Sequence, residues 1–220
     1  MKNYISIVAL VFLCFGAVAQ ERITARPNNF FVFTAGPSFP IGDFASTNLD
    51  NNDAGMANTG FTLEYKYGHR FNGVFGLSTS LQYGRYDVDK SFLHGIPDAD
   101  IKPWEKFALL AGPMLTSNIG LKSNFDLSIL SGLAMAQSPE GRLEETEILN
   151  ADWSATVPLK VAADFRFQFN RSGIFYIGAN YLYMKPKFEV LTDDENLFDF
   201  NTYRQKMHIV GINAGLGFTF

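Results

Sequence analysis

The closing stretch of the chain, Arg204 to Phe220, constrains the fold most. Phe220, Phe218, Leu216, Ala214, Ile212 and Val210 fall on one face, and Thr219, Gly217, Gly215, Asn213 and Gly211 on the other. Strand side chains alternate with period two, so this is a strand with one greasy face and one small or polar face. A membrane-spanning barrel strand needs about ten such residues, apolar outside and polar or small inside. The stretch therefore predicts a transmembrane barrel strand.

The other end predicts export. Lys2 is followed by a nearly all-apolar run from Tyr4 to Phe15, and Ala17-Val18-Ala19 gives the small-x-small pattern of a signal peptidase site. We expect a cleaved signal peptide over 1–19 and one mature domain over 20–220; a retained anchor is the alternative. Phe12 and Leu13 are too bulky for a lipoprotein signal at Cys14. Cleavage removes the only cysteine, which excludes disulfides, thiol catalysis and cysteine metal sites. The formal net charge is −4, and loss of Lys2 makes it one more negative. With no basic patch in the sequence, nucleic acid is a poor partner. No run of ~18 apolar residues follows the leader, so a membrane location has to come from a barrel rather than a helix.

Alternating segments are predicted over 30–38, 59–68, 73–86, 104–116, 123–136, 154–169, 174–185 and 204–220. The sixth is the clearest: Val157, Leu159, Val161, Ala163, Phe165, Phe167 and Phe169 share a face, and Lys160, Ala162, Asp164, Arg166 and Gln168 the other. Pro113 and Pro158 interrupt the pattern, since proline cannot donate to a ladder; they mark bulges or misplaced boundaries. Connections alternate long and short, with short turns near 69–72, 118–122 and 170–173. Outer-membrane barrels show this alternation, with long outer loops, tight periplasmic turns and an even strand count. The expected fold is an all-β, eight-stranded antiparallel up-and-down transmembrane barrel. The count becomes ten if 142–149 or 196–201 adds a hairpin.

The same registers send Glu64, Lys66, Asp126, Lys160, Asp164 and Arg166 inward. An eight-stranded barrel has an interior just wide enough for side chains to fill, and buried charges there have to pair. Balanced signs predict a plugged lumen; a selective channel favours one excess sign. The alternative is a soluble β protein with these charges in solvent. Tyr67, Phe71, Trp104, Trp153, Phe169, Phe175 and Tyr183 fall near strand ends and suit interfacial belts.

Ala35-Gly36-Pro37-Ser38-Phe39-Pro40-Ile41-Gly42-Asp43-Phe44 resembles the first strand and following loop of PorT-like small outer-membrane β-barrel proteins, and Gly211 to Phe220 resembles their last strand. The resemblance implies that Phe218 and Phe220 form the terminal signal read by the barrel-assembly machinery. It implies an envelope role, in some members secretion or surface assembly, and supplies no catalytic residues.

The connections over 37–58, 87–103, 137–153 and 185–204 hold most of the 22 acidic residues. Glu189, Asp193, Asp194, Glu195 and Asp199 form the densest cluster; Glu140, Glu144, Glu145 and Glu147 form another. Such carboxylates bind hard cations in some settings, but no spacing matches an EF-hand, and a solvated anionic rim is the plainer reading. The rim would face outer-membrane lipid and lipopolysaccharide, directly or through shared divalent cations, and would meet envelope protein partners through the loops. An enzyme would need a base at that rim. His69 is expected in a periplasmic turn, His94 in a long loop with Ser91 nearby, and His208 on the lipid-facing side of the last strand. No phosphate loop, HExxH or GxSxG motif is present. The expected role is structural or interaction, without catalytic site, cofactor or metal; a narrow channel or carrier and a lipid-modifying enzyme are the alternatives.

Overall fold

The computed structural model describes residues 28–48, 50–51, 53–90, 100–139, 141–143, 146–149, 153–190 and 201–220. The segment 1–19, expected as a signal peptide, lies outside the described residues. Eight long strands carry the alternation: β1 (Asn29–Ile41), β2 (Ala57–Arg70), β3 (Phe75–Val88), β4 (Trp104–Asn118), β5 (Ser123–Gln137), β6 (Leu159–Gln168), β7 (Gly173–Met184) and β8 (Met207–Thr219). Each pairs antiparallel with the next, and β8 returns to β1, so the sheet closes. At the seam Asn29 N donates to Phe220 O at 3.1 Å and Phe220 N to Asn29 O at 3.0 Å. Closure removes every open edge of the wall, which is the condition for strands to cross hydrocarbon.

Alternation fixes which face is which. On β8, Ile212 is 49%, Leu216 62% and Phe218 55% exposed, while Gly211, Asn213 and Thr219 between them are buried. Large apolar side chains are exposed in the same way on every wall strand. A continuous apolar belt of this kind is far beyond the patches soluble monomers tolerate, and it fits a hydrocarbon surround. Among the described residues no helix is long and apolar enough to cross a membrane; the strands do so instead.

The seam depends on glycine. A Cβ on Gly36 would lie 1.9 Å from Ile212 O, and one on Gly215 1.9 Å from Phe33 O. Neither position accepts a side chain without separating β1 from β8.

The prolines are not bulges. On the β5 side the ladder skips Gly112 and Pro113 but resumes unshifted from Ala111↔Ser131 to Met114↔Ser128. Pro158 likewise separates the short strand Trp153–Thr156 from β6, yet both pair with β5 in one register, from Ala134↔Thr156 to Leu159↔Ser131. Ser131 Oγ bridges the gap by donating to Pro158 O at 2.7 Å.

Short turns join β2–β3, β4–β5 and β6–β7 at one end, where β1 begins and β8 ends; long connections join the strands at the other, called the outer end because outer-membrane barrels carry their long loops outside. Three of these connections, β3–β4, β5–β6 and β7–β8, extend the structure beyond the wall. Lys187–Val190 pairs with Asn201–Arg204, and Asp100–Ile101, Gly141–Leu143 and Thr146–Leu149 form a separate small sheet. These hairpins do not enter the barrel, so the wall has eight strands rather than ten. His69 is a further adjustment: it lies near the end of β2 instead of occupying the turn, with Nδ1 2.6 Å from Asn29 Oδ1.

Candidate functional site

The inward row carries the chemistry. Glu64 and Lys66 stand on β2; Lys160, Asp164 and Arg166 on β6; Asp126 on β5. All six side chains are essentially fully buried. Lys160 Nζ meets Glu64 Oε1 at 2.6 Å, Lys66 pairs with Asp164, and Arg166 grips Asp126 through Nε and through a second nitrogen at 2.9 Å. In the closed order β2 and β6 face each other across the barrel. Two of the three pairs therefore bridge the bore from wall to wall.

Neutral groups complete the network. Glu64 accepts from Ser80 Oγ at 2.6 Å and from Asn213 Nδ2 at 3.0 Å. Asn213 in turn accepts from Asn180 Nδ2 at 3.0 Å. Thr116 Oγ1 donates to Asp126 Oδ1 at 2.6 Å, Lys66 Nζ to Tyr176 OH at 2.9 Å, and the Arg166 guanidinium lies 3.8 Å from the centre of the Phe30 ring. Asp126 and Asp164 are directly opposed across β5 and β6. Two adjacent carboxylates repel, and Arg166 and Lys66 neutralise one each. A buried charge that is paired and fully hydrogen-bonded avoids most of the desolvation penalty of an isolated one.

Lys106 belongs to this interior as a further buried cation. Its Nζ lies 3.4 Å from Gln82 Oε1, and among the described residues no carboxylate lies within ion-pair distance of it. It is hard to see in the sequence because β4 is apolar on both faces: Ala108, Leu110 and Met114 follow it inward, Phe107 and Leu109 outward. Gln82 Nε2 and Ser128 Oγ are buried in the lumen and find no hydrogen-bond partner among the described residues.

Above the charged layer the outer mouth is filled by aromatics. Gly42, at φ +63°, turns the chain into the 3-10 helix Gly42–Ala45. This drops Phe44, fully buried, onto Tyr86 at 5.7 Å and Trp104 at 5.4 Å between ring centres. Trp104 also packs on Phe188 and donates its Nε1 hydrogen to Gly55 O at 2.9 Å. Trp104 is thus a lumen plug, not part of an interfacial belt: residue 104 is in phase with the inward row of β4. Phe71, Trp153, Phe169 and Phe175 are outward and exposed. The connection carrying Phe44 is tied down by Gln205 Nε2, which donates to Asp53 O at 2.9 Å, and by Lys206, which pairs with Asp53 at 2.7 Å and Asp43 at 3.4 Å. Hydrogen bonding and positive charge from Lys206 hold the Asp53 carboxyl below the usual carboxylate range, and the same contacts raise Lys206.

Of the other residues singled out by sequence, Phe218 and Phe220 are exposed on the outward face at the seam. His208 also faces outward; its Nδ1 lies 2.6 Å from Tyr181 OH and its ring lies against Tyr183. Glu189 sits on the strand Lys187–Val190. Asp193, Asp194, Glu195 and Asp199, with Ser91 and His94, lie outside the described residues. Among the described residues no group of three or more His, Cys, Asp or Glu is placed to hold a metal ion.

Solved structures share this architecture. A major outer membrane protein from Thermus thermophilus superimposes with a TM-score of 0.55 at 10% identity, covering 87% of this chain and 99% of the other. Neisserial surface protein A gives 0.53 at 14% identity, covering 89% and 99%. The outer membrane protein OprG from Pseudomonas aeruginosa gives 0.52 at 12% identity, covering 90% and 99%. At these identities the likeness is one of fold. No family model and no curated protein matches the sequence.

Proposed function

We propose that this chain is a closed outer-membrane barrel of the PorT-like kind, acting as a structural or interaction protein of the envelope, in support of secretion or surface assembly. The supporting observation is the lumen: side chains from diametrically opposed strands meet across the bore, and an aromatic cap lies above them. A bore closed twice leaves the outer connections and the lipid-facing wall as working surfaces. The role is display, in which a rigid wall holds connections such as 185–204 toward partners and lipid. Phe218 and Phe220 serve assembly, and the acidic cluster of Glu189, Asp193, Asp194, Glu195 and Asp199 forms part of the displayed rim. A channel or carrier would require the ion-paired layer to part, and catalysis would require a nucleophile beside His208.

The test is to exchange surfaces in cells. Replacing residues 187–204 by a short turn is expected to abolish the envelope phenotype of the wild-type gene while leaving heat-dependent gel mobility intact. Substitution of lumen pairs at matched expression should leave the phenotype alone. The reverse pattern would overturn the display reading.

A further inference from the structure

Cations gather at one place on the outer rim. Beyond their last barrel pair, Met184↔Met207, β7 and β8 continue into the hairpin of Lys187–Val190 and Asn201–Arg204. There Lys187 and Arg204 are directly opposed. Both are exposed, as is Lys185, and no ion pair among the described residues holds any of the three; the Lys185 charge acts on Asp53, whose own ion pair is with Lys206. Like charges directly opposed across strands repel, so this arrangement favours an anion from outside the chain. Phe188, next to Lys187, is fully buried against Trp104 and Tyr203; alternation therefore turns Lys187 away from the lumen. Arg85, elsewhere on the rim, differs in that it directly opposes Glu105.

Aromatic groups stand just below on the same outward face. Tyr181 OH lies 2.6 Å from His208 Nδ1, and the Tyr183 and His208 ring centres are 4.9 Å apart. With an extended rise of ~3.4 Å per residue, Lys185 and Lys187 reach roughly 7 and 14 Å beyond Tyr183. Rings at the hydrocarbon boundary and cations at headgroup depth is the order a membrane interface selects. The patch is invisible as a run in the sequence because its members come from two segments, separated by the acid-rich residues 191–200.

We infer that the outer β7–β8 face binds a phosphorylated glycolipid of the outer leaflet. Tyr181, Tyr183 and His208 lie against its sugar and upper acyl region, and Lys185, Lys187 and Arg204 take its phosphates through charge-assisted hydrogen bonds. This inference rests on the membrane orientation proposed above.

The test uses the mature chain refolded into phosphatidylcholine nanodiscs containing bis-phosphorylated lipid A, with retained lipid read by native mass spectrometry. Wild type is expected to retain lipid A over phosphatidylcholine and to ignore its dephosphorylated form. The combined Lys185→Gln, Lys187→Gln, Arg204→Gln variant should retain roughly 100-fold less, from about one kcal/mol per basic residue near an anionic surface. Arg85→Gln should match wild type. Equal retention by the triple variant, or of the dephosphorylated lipid, overturns the inference while heat-dependent mobility still certifies the barrel. Inositol hexakisphosphate binding as tightly as lipid A would assign the cations to a soluble anion and overturn it too. Wild type that yields no folded band in bilayers would bring down the membrane-barrel reading itself.

Discussion

The middle and the outer mouth of the lumen are closed by opposite means. The middle is ionic: Glu64, Lys66, Asp126, Lys160, Asp164 and Arg166 form three pairs and leave no room to substitute one member alone. The mouth is apolar: Phe44 is delivered by a connection and buried on Tyr86 and Trp104, with Phe188 completing the cap. The ionic layer is built entirely from wall strands, so its energetics belong to the stability of the whole barrel. The cap is held to the wall by side-chain packing and by Lys206 and Gln205, so it can be undone locally. Lys106 lies between the two regions and shares the security of neither.

Substitutions should separate these regimes. The largest effect is expected for Glu64→Gln, which strands Lys160 and withdraws a charged acceptor from Ser80 and Asn213. Removing one partner of a buried pair costs about 3–5 kcal/mol, read as a lower urea midpoint for unfolding from bilayers. Adding Lys160→Met should restore most of it, because no buried charge of the pair is then left to desolvate; a double variant as unstable as the single one would argue that the pair is not the unit.

Phe44→Ala should remove roughly 3 kcal/mol of packing, but from the cap alone. The expected signature is a red shift of Trp104 emission and new protease cleavage between residues 42 and 56, with the unfolding midpoint of the barrel nearly unchanged. A midpoint that falls as far as that of Glu64→Gln would erase the distinction between the regions.

Lys106→Met should act in the opposite direction to Glu64→Gln. It replaces a buried cation lacking a carboxylate at ion-pair distance, and a gain of about 1 kcal/mol is expected from the same urea titration. A loss would reveal a partner for Lys106 that the described residues do not contain.

The smallest effect concerns pH at the cap. The Asp53 carboxyl is held low first by its hydrogen bond from Lys206 and then by that charge. A carboxyl depressed on folding stabilises the folded form above its unfolded pKa, and that contribution is lost as pH falls through the lowered folded value. Hydrogen exchange at the Gly55 amide, which donates to Asp43 O at 2.9 Å, should keep its protection at neutral pH and lose it only below the ordinary carboxylate range. Asp53→Asn should flatten that acid-side change.

Much of the wall is legible in the sequence because membrane strands repeat one simple rule. On β6, and on β8 from Val210 onward, each outward apolar residue alternates with a small or polar inward one; the expected 204–220 is recovered as Met207–Thr219, and the expected 154–169 as Trp153–Thr156 and β6, split at 157–158. The inward charges of β2 and β6 follow from the same phase. The rule fails where both faces are apolar. On β4 it gives neither the depth of Trp104 nor the isolation of Lys106, since Ala108 and Leu110 beside them are as apolar as the lipid-facing residues. It also says nothing of the cap. Phe44 belongs to a connection whose acidic, polar composition suggests a solvated loop, and its burial depends on the local turn at Gly42 together with Gly55 and Gln205, which lie farther along the chain. Pairing partners across the bore are likewise a property of closure: no local pattern links Lys160 to Glu64.

The central claim is that the bore is closed. Planar-bilayer recording of refolded residues 20–220, with heat-dependent gel mobility certifying the fold, tests it most directly. Folded protein that inserts and stays electrically silent is the predicted result; discrete, reproducible conductance steps would contradict the closed lumen and with it the display role.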